Sequence, residues 1–420
     1  MITARTLNHG KEEIVELFSK VIPLLDPVHY LLNNYNISNH RHPLLPSNYS
    51  FNTFNKVNDM NNMAYIDIFF SFISSNITLS DKNPSFPTYY GSINGIGKYK
   101  YDISEDIDGF KNHQGFSKLL KKHCIVEELV GYSSDDSSLS DTSPSNTSPS
   151  NTSPSNTSSS NTSSSNTSSS NDSDTDDVIV TIKHFPVSYL FIEKLEGTLE
   201  DIIKQELSLP LLKSCLFQVT FALIYLQKHY KFTHNDLHIN NIMYKSTDRP
   251  YLYYKYNNKY FKIPTYGKLF VIIDFGRSIF TYQKKTYMND VFSRYGEAEG
   301  QYTHPPQVSF LGICPPKITL PSYHFDLCRL AISMIDEIRY NHDDELEDSD
   351  DYQDFLDFLK HLVTDQTGLR LDKEDDDFDL YIKISHDAKN SLPRDVIMNQ
   401  LFHHFRVKKK LFPKSTYYST

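Results

Sequence analysis

The chain has no tryptophan, four cysteines and fourteen glycines in 420 residues. Cys124, Cys215, Cys314 and Cys328 lie far apart with no Cys-x-x-Cys pair. That argues against a zinc ribbon and a disulfide framework, and fits a reducing compartment. No apolar run reaches the length of about 18 residues that reads as a bilayer span. The segment Met1 to Lys20 is charged and lacks the apolar core of a signal peptide. An intracellular protein without a membrane span is therefore expected. A basic excess is also lacking: 42 Lys+Arg face 52 Asp+Glu, a net charge of −10. Seven of those acids lie in the stretch from Ser133 to Asp177, which has no Lys or Arg. Without it the net charge is −3, so nothing gives the electrostatic footprint of a dedicated nucleic-acid binder.

That stretch is poor in apolar side chains too, with Leu139 as its one aliphatic residue. Thr142 to Asn171 repeats a five-residue unit, Thr-Ser-Pro/Ser-Ser-Asn, six times. The unit has no hydrophobic face to stack, so the tract cannot offset its ordering entropy and is expected to be disordered. It reads as an insertion in a surface loop, where extra length costs little. Its Ser-Pro pairs, beginning at Ser143, Ser148 and Ser153, make it an alternative candidate for phosphorylation.

Around the insertion the pattern alternates between strands and helices. Ile66, Phe69, Phe70, Ile73 and Ile77 predict a helix over 62–75, broken by Asn83-Pro84 and Phe86-Pro87 before a strand opens at Thr88 to Gly91. Two strands are expected at Val178 to Lys183 and Ser188 to Glu193. Leu212, Leu216, Val219, Leu223 and Leu226 predict a helix over Leu209 to His229. Tyr251 to Tyr256 and Lys259 to Ile263 read as a hairpin turning at Asn257-Asn258, and Leu269 to Ile273 as a buried strand. A helix starts near Asp326, an acidic loop spans Asp343 to Asp351, and helices follow over Tyr352 to Val363 and Arg394 to Phe405. The tail from Arg406 to Lys414 is basic and reads as a solvated run.

The chemistry concentrates in Phe232-Thr-His234-Asn-Asp236-Leu-His238-Ile-Asn-Asn241-Ile-Met243, between a helix and a strand. Farther on, the apolar run Val271-Ile-Ile ends in Asp274-Phe275-Gly276. Phosphoryl transfer needs a carboxylate to orient a hydroxyl, and oxygen ligands to hold Mg²⁺ on phosphates; positioning does most of the rest. Asp236 fits the first need. Asn241 and Asp274 fit the second, because Mg²⁺ takes one or two carboxylates beside phosphates and water.

These strings resemble the protein-kinase superfamily, whose signatures are His-x-Asp-x-x-x-x-Asn and Asp-Phe-Gly. Within it, Asn83 to Gly91, Pro264 to Gly267, Ala298 to Tyr302 and Phe325 to Leu330 look most like the serine/threonine kinases of giant DNA viruses (mimivirus-like). Asp236-Leu237-His238 is similar to haspin-like kinases and to aminoglycoside phosphotransferases. The resemblance implies an α+β, bilobal protein-kinase-like fold with a small β-rich N-lobe and a larger, mostly helical C-lobe. The N-lobe would take residues 1–132, with 1–50 open to being a separate helical extension. The insertion would be 133–177, the last N-lobe strands 178–192, and the C-lobe 193–420. The implied activity is ATP- and Mg²⁺-dependent transfer to Ser/Thr hydroxyls of a protein substrate, with autophosphorylation of residues 142–171 as one outcome. A viral origin would imply a host-cytoplasmic or virion location.

By the same resemblance Asp236 is the catalytic base and His238 stands where a γ-phosphate lysine would, as an imidazolium or as a neutral hydrogen-bonding group. Asn241 and Asp274 hold metal. Ile192 is the gatekeeper, the backbone of Glu193 and Leu195 bonds adenine, and Met243 lies under the purine. His234 packs the catalytic loop, and Asp326 pins it through backbone N–H groups. Lys56 is the candidate for the phosphate-holding strand lysine, with Asp67 as its acidic partner on the following helix. Several family features are absent. No glycine occurs between Gly10 and Gly91, so the Gly-x-Gly-x-x-Gly phosphate lid is missing. Asn235 replaces the arginine that pairs with a phosphorylated activation segment, which argues against that switch. No Ala-Pro-Glu follows Asp274, so Ser278 to Tyr323 is an unusual activation segment. Two other functions stay open at this point: a pseudokinase scaffold and a small-molecule phosphotransferase.

Overall fold

The computed structural model describes residues 2–8, 11–35, 44–48, 53–104, 107–120, 123–129, 177–205, 207–294, 296–304, 319–346, 349–373, 377–412 and 417–420. The Thr142–Asn171 repeat, Cys314 and Lys414 lie outside these residues.

The first part of the chain is built on one antiparallel sheet. Strands β1 (Ile2–Asn8) and β2 (Lys11–Pro23) form a hairpin that closes at Asn8↔Lys11. Short helices α1 (Pro27–Leu31) and α2 (Asn55–Asn58) precede the long helix α3 (Met63–Leu79). Then come β3 (Tyr89–Asp102), α4 (Ile107–Lys111), α5 (Gln114–Leu119), β4 (Cys124–Leu129) and β5 (Asp177–Glu193). The sheet runs β1-β2-β5-β3, and β4 also pairs with β5. Among the described residues the helical extension envisaged for 1–50 is not found: 2–8 and 11–23 are strands of this sheet. In β2 the every-second positions Val15, Leu17 and Val21 are apolar, and Leu17 is buried while Ile14 is exposed, as a ladder with one covered face requires. The two strands expected at 178–193 are one. Pro186 sits just past the end of the β2 ladder, at Pro23↔Val187, a place where a missing N–H is tolerated.

Helix α3 begins where Asn62 accepts a hydrogen bond from Ala64 N, the standard first-turn cap. Ile66, Phe70, Ile73 and Ile77 are all buried, as their spacing demands. Asp67, Ser71 and Ser74 lie along the adjacent stripe and are buried too. The helix ends before Asp81, which takes a left-handed φ of 53°.

The second part opens with β6 (Gly197–Thr198), α6 (Leu199–Gln205) and α7 (Leu209–Tyr230). Helix α7 is long and apolar enough to cross a membrane by length and composition, but 83% of its most apolar window is buried inside the protein. It is the core helix, with Leu212, Leu216, Val219, Leu223 and Leu226 all enclosed. Next come β7 (Ile242–Ser246), β8 (Tyr251–Tyr256), β9 (Lys259–Pro264) and β10 (Lys268–Ile272). The β8–β9 turn places Asn257 and Asn258 at φ 45° and 59°, the left-handed pair that a two-residue hairpin needs. Strands β11 (Ile279–Tyr282) and β12 (Lys285–Met288) form a second hairpin. The helices α8 (Phe325–Leu346), α9 (Asp350–Leu362), α10 (Asp377–Asp387) and α11 (Pro393–Val396) follow. Finally β13 (Arg406–Val407) joins β9 and β14 (Tyr418–Ser419) joins β8.

Two expectations fail here. Much of the span read as an acidic loop, 343–351, is helical, because α8 runs on to Leu346 and α9 starts at Asp350. The helix expected over Arg394 to Phe405 is broken into α11 and a 3-10 turn, Gln400–Phe405. Asn399 accepts from Leu401 N and restarts the chain there.

One hydrophobic cluster lies on the N-terminal sheet and includes Ile22, Leu31, Val180 and Ile192. A larger one gathers α6 to α9, β7 to β10 and the Ile66–Phe70 face of α3. Helix α3 therefore touches both clusters, since Ala64 belongs to the first and Ile66 to the second.

Candidate functional site

Phe232 to Asn241 forms a loop between α7 and β7, and its shape is held from beneath by Asp326 at the start of α8. Both carboxylate oxygens of Asp326 accept from His234 N, at 3.0 Å each, and Oδ1 also accepts from Asn235 N at 3.0 Å. Burial pushes its pKa up against the pull of His234 and of those N–H groups. The His234 ring points the other way and bonds the carbonyl of Ile273 at 2.9 Å through Nε2. The Asn241 carbonyl accepts from Ile273 N at 3.1 Å. The residue before Asp274 is thus clamped to both ends of the loop, which brings Asp274 beside it.

Asp236 and Asn241 meet through Asn241 Nδ2, which donates to the Asp236 carbonyl at 2.8 Å. The nitrogen is thereby committed to the chain, and the amide oxygen is the atom left to face a cation. His238 lies between them. Its Nε2 is 3.0 Å from Asn241 Nδ2 and its Nδ1 is 3.3 Å from Asn240 N. Both ring nitrogens face N–H groups; an imidazolium has no lone pair to offer either, and a neutral ring has one, which accepts from Asn240 N or from Asn241 Nδ2 but not from both. Burial also lowers the His238 pKa, against the pull of Asp236. Of the two forms left open above, the geometry favours the neutral ring.

The Asp236 carboxylate accepts from the Tyr381 hydroxyl at 2.6 Å. Burial works to raise its pKa. Arg277, His238, the Tyr381 hydroxyl and Arg329 outweigh that and hold it below the usual carboxylate value.

Above the loop stands a charged triad. Lys20, on β2, places its ammonium 2.8 Å from Asp67 Oδ2 and 2.7 Å from Asp274 Oδ1. Burial works to lower the Lys20 pKa, and Asp274 and Asp67 together more than reverse it. Asp67 also accepts from Phe275 N at 3.0 Å through its other oxygen. One buried carboxylate on α3 therefore fixes both the lysine and the backbone next to Asp274. Asp274 itself has φ 60°, a conformation that Asp adopts more readily than most residues. An aromatic column runs alongside: Phe70 to Phe275 at 4.9 Å between centroids, and Phe275 to His234 at 5.7 Å.

The structure thus brings together Asp236, His238, Asn241, Asp274, His234, Asp326 and Asp67. It does not bring Lys56 to them: that ammonium is 2.6 Å from Asp290 and ties α2 to the turn Asp290–Phe292. The lysine that meets Asp67 is Lys20 of β2, while Lys56 sits on the short helix α2. The signal for Lys20 was present in Ile14-Val-Glu-Leu-Phe-Ser-Lys-Val-Ile22, a strand-like run carrying one lysine. Glu193 ends β5, bonding Lys245 and accepting from Thr88 N at 3.1 Å, while its own N donates to the Thr88 carbonyl at 2.9 Å. Leu195 is buried against the larger core, and Met243 packs against it from β7. Ile192 is buried in the sheet cluster.

Asn235 has no arginine's reach but is fully buried and bonded. It adopts φ 62°, accepts from the Tyr302 hydroxyl at 2.7 Å, and donates to the Arg277 carbonyl at 3.0 Å. Asn235 thus holds the segment after Asp274 through neutral hydrogen bonds. Tyr302, Arg277, Arg329 and Tyr381 carried no motif that spacing alone could single out.

No protein-family model matches the chain. A stretch of 91 residues is 38% identical to a probable serine/threonine-protein kinase of Dictyostelium discoideum, covering 20% of this chain. The chain spans 8% of that protein's length. This partial likeness supports a relationship to protein kinases. The mixed architecture, β-rich first and helical afterwards, is compatible with that fold.

Proposed function

We propose that the chain is a protein kinase that transfers the γ-phosphoryl group of ATP to Ser or Thr hydroxyls, with the β-rich and helical parts as its two lobes. The observation that carries this reading is the Lys20 ammonium held between Asp67 and Asp274, above a loop that presents Asp236 and Asn241. A lysine so placed is a fixed positive charge for phosphate oxygens. Asn241 and Asp274 are the residues that would hold Mg²⁺. The donor set fits: one carboxylate and one amide oxygen, with water and phosphates completing the octahedron. Bound there, Mg²⁺ would neutralise charge on the phosphates.

Asp236 would orient the acceptor hydroxyl and take its proton. Its depressed pKa keeps it ionised at neutral pH, as a proton acceptor must be. Glu193 and Leu195 would offer backbone groups to adenine, with Met243 beneath the ring. Neutral His238 would hold Asn241 in place rather than carry charge.

The test is labelled ATP with and without Mg²⁺, with modified residues mapped by mass spectrometry and residues 142–171 among the expected acceptors. Wild type should transfer phosphate only with the metal, and Asp236→Ala should lose most turnover while still binding nucleotide. Mg-ATP at a hundredfold excess over its dissociation constant should stabilise both proteins by about 2–3 kcal/mol. Binding without transfer would instead mark a nucleotide-binding scaffold.

A further inference from the structure

Tyr381 reaches Asp236 from α10, an element that plays no part in the phosphate end of the site. Its hydroxyl donates to Asp236 Oδ1 at 2.6 Å and accepts from Arg329 Nε at 3.1 Å. A phenol has one hydrogen, so the arginine's bond to its oxygen leaves that hydrogen directed at the carboxylate. The ring cannot swing away easily. Guanidinium carbons of Arg277 and Arg329 each lie 5.3 Å from its centroid, and Phe325 packs at 5.7 Å. Helix α10 is itself anchored by buried Leu380 and Ile384.

We propose that Tyr381 is a positioning residue for phosphoryl transfer: it occupies Asp236 Oδ1 and fixes the carboxylate so that Oδ2 receives the acceptor hydroxyl. This rests on the kinase reading above. In the step it serves, the acceptor oxygen forms its bond to phosphorus as the bond to the departing ADP oxygen breaks. The acceptor's proton passes to Oδ2. A carboxylate free to rotate would present either oxygen at a range of angles, and such misplacement is costly in a reaction that depends on alignment. The phenol's hydroxyl is engaged twice, accepting from Arg329 and donating to Asp236, so it supports the base and does not imitate the acceptor. Burial and Asp236 push the phenol's pKa up to about 12, which keeps it a donor across the working range.

The experiment compares wild type, Tyr381→Phe, Asp236→Asn and the double variant in the full chain, with Mg-ATP and casein as acceptor. Tyr381→Phe keeps the ring, so it should melt close to wild type. It should lower kcat about tenfold to a hundredfold, with KM for ATP and casein changed less than about twofold. In the Asp236→Asn background, Tyr381→Phe should cost nothing further, because the residues act as a unit. Full-chain NMR with ¹³Cζ-labelled tyrosine supplies a readout that needs no turnover. The resonance deleted by Tyr381→Phe should shift in Asp236→Asn while the others stay. An unchanged kcat, a kcat that rises, additive losses, or no ¹³Cζ shift would each overturn the role. A wild type that binds Mg-ATP yet transfers nothing overturns the kinase reading and this role with it. An active wild type with an unaffected Tyr381→Phe overturns this role alone.

Discussion

Lys20 Nζ lies 2.7 Å from Asp274 Oδ1, joining the second strand of the chain to the loop that follows β10. Asp67 stands on the other side of the same ammonium at 2.8 Å. Two carboxylates around one largely enclosed cation is an arrangement in which removing the cation leaves both uncompensated. Lys20→Met should therefore destabilise the protein by about 3 kcal/mol and abolish measurable Mg-ATP binding, read by thermal melts and nucleotide titration. Lys56→Met breaks only the pair with Asp290 and should keep nucleotide affinity within about twofold, as expected for a partly exposed ion pair.

Asp67 is one methylene shorter than the glutamate of related sites, yet it reaches Lys20 and Phe275 N at once. Its surroundings leave it 1% exposed. Asp67→Glu should accordingly harm and not improve the protein, by about 1–3 kcal/mol of overpacking. Asp67→Asn preserves the shape but removes the charge, and should weaken nucleotide binding with a smaller loss in melting temperature.

Tyr302 donates to Asn235 in a fully enclosed position. Tyr302→Phe leaves the Asn235 oxygen buried without that donor, at a cost of about 1–3 kcal/mol. Because this latch is neutral, phosphatase treatment of the purified protein should leave turnover unchanged, whereas an arginine–phosphate latch would be lost.

Burial lowers the His238 pKa against the pull of Asp236. Its folded pKa lies below the unfolded value of about 6.5, so the unfolded chain takes up a proton that the folded one refuses. Stability contributed here is present above about pH 6.5 and falls as pH drops below it. Urea titrations of wild type and His238→Gln should show a shallower loss between pH 7 and 5 in the variant.

Strands β4 and β5 pair as far as Leu129↔Asp177, so the chain leaves and re-enters the sheet at adjacent points. Replacing residues 130–176 with a short Asn-Gly turn should preserve the fold. By loop-closure entropy it should raise stability by up to about 2 kcal/mol, measurable as an unchanged or higher melting midpoint.

Helix α3 and the β8–β9 hairpin were readable because each is specified locally. The apolar spacing of Ile66 to Ile77 and the Asn-Asn pair at 257–258 need no distant partner to make sense. The same holds for Asp236, Asn241 and Asp274, whose loop and strand-end contexts are encoded within a dozen residues each. Lys20 was missed for the opposite reason. A lysine in a strand is common, and only pairing with β5 and the approach of α3 give this one two carboxylates. Lys56 stood nearer to α3 in sequence, and proximity along the chain proved a poor guide to proximity in space.

The amino-acid order alone singled out Asp236 and Asn241, five residues apart on one short loop, and Asp274 after an apolar strand as the candidates for chemistry, because each of those contexts is local. Which lysine faces them, that Asn235 bonds Tyr302, and that Tyr381 supports Asp236 were decided by tertiary packing. Those contacts join residues far apart in the chain, brought together only when helices bury their apolar faces, and no local pattern records where a buried polar group will find its partner.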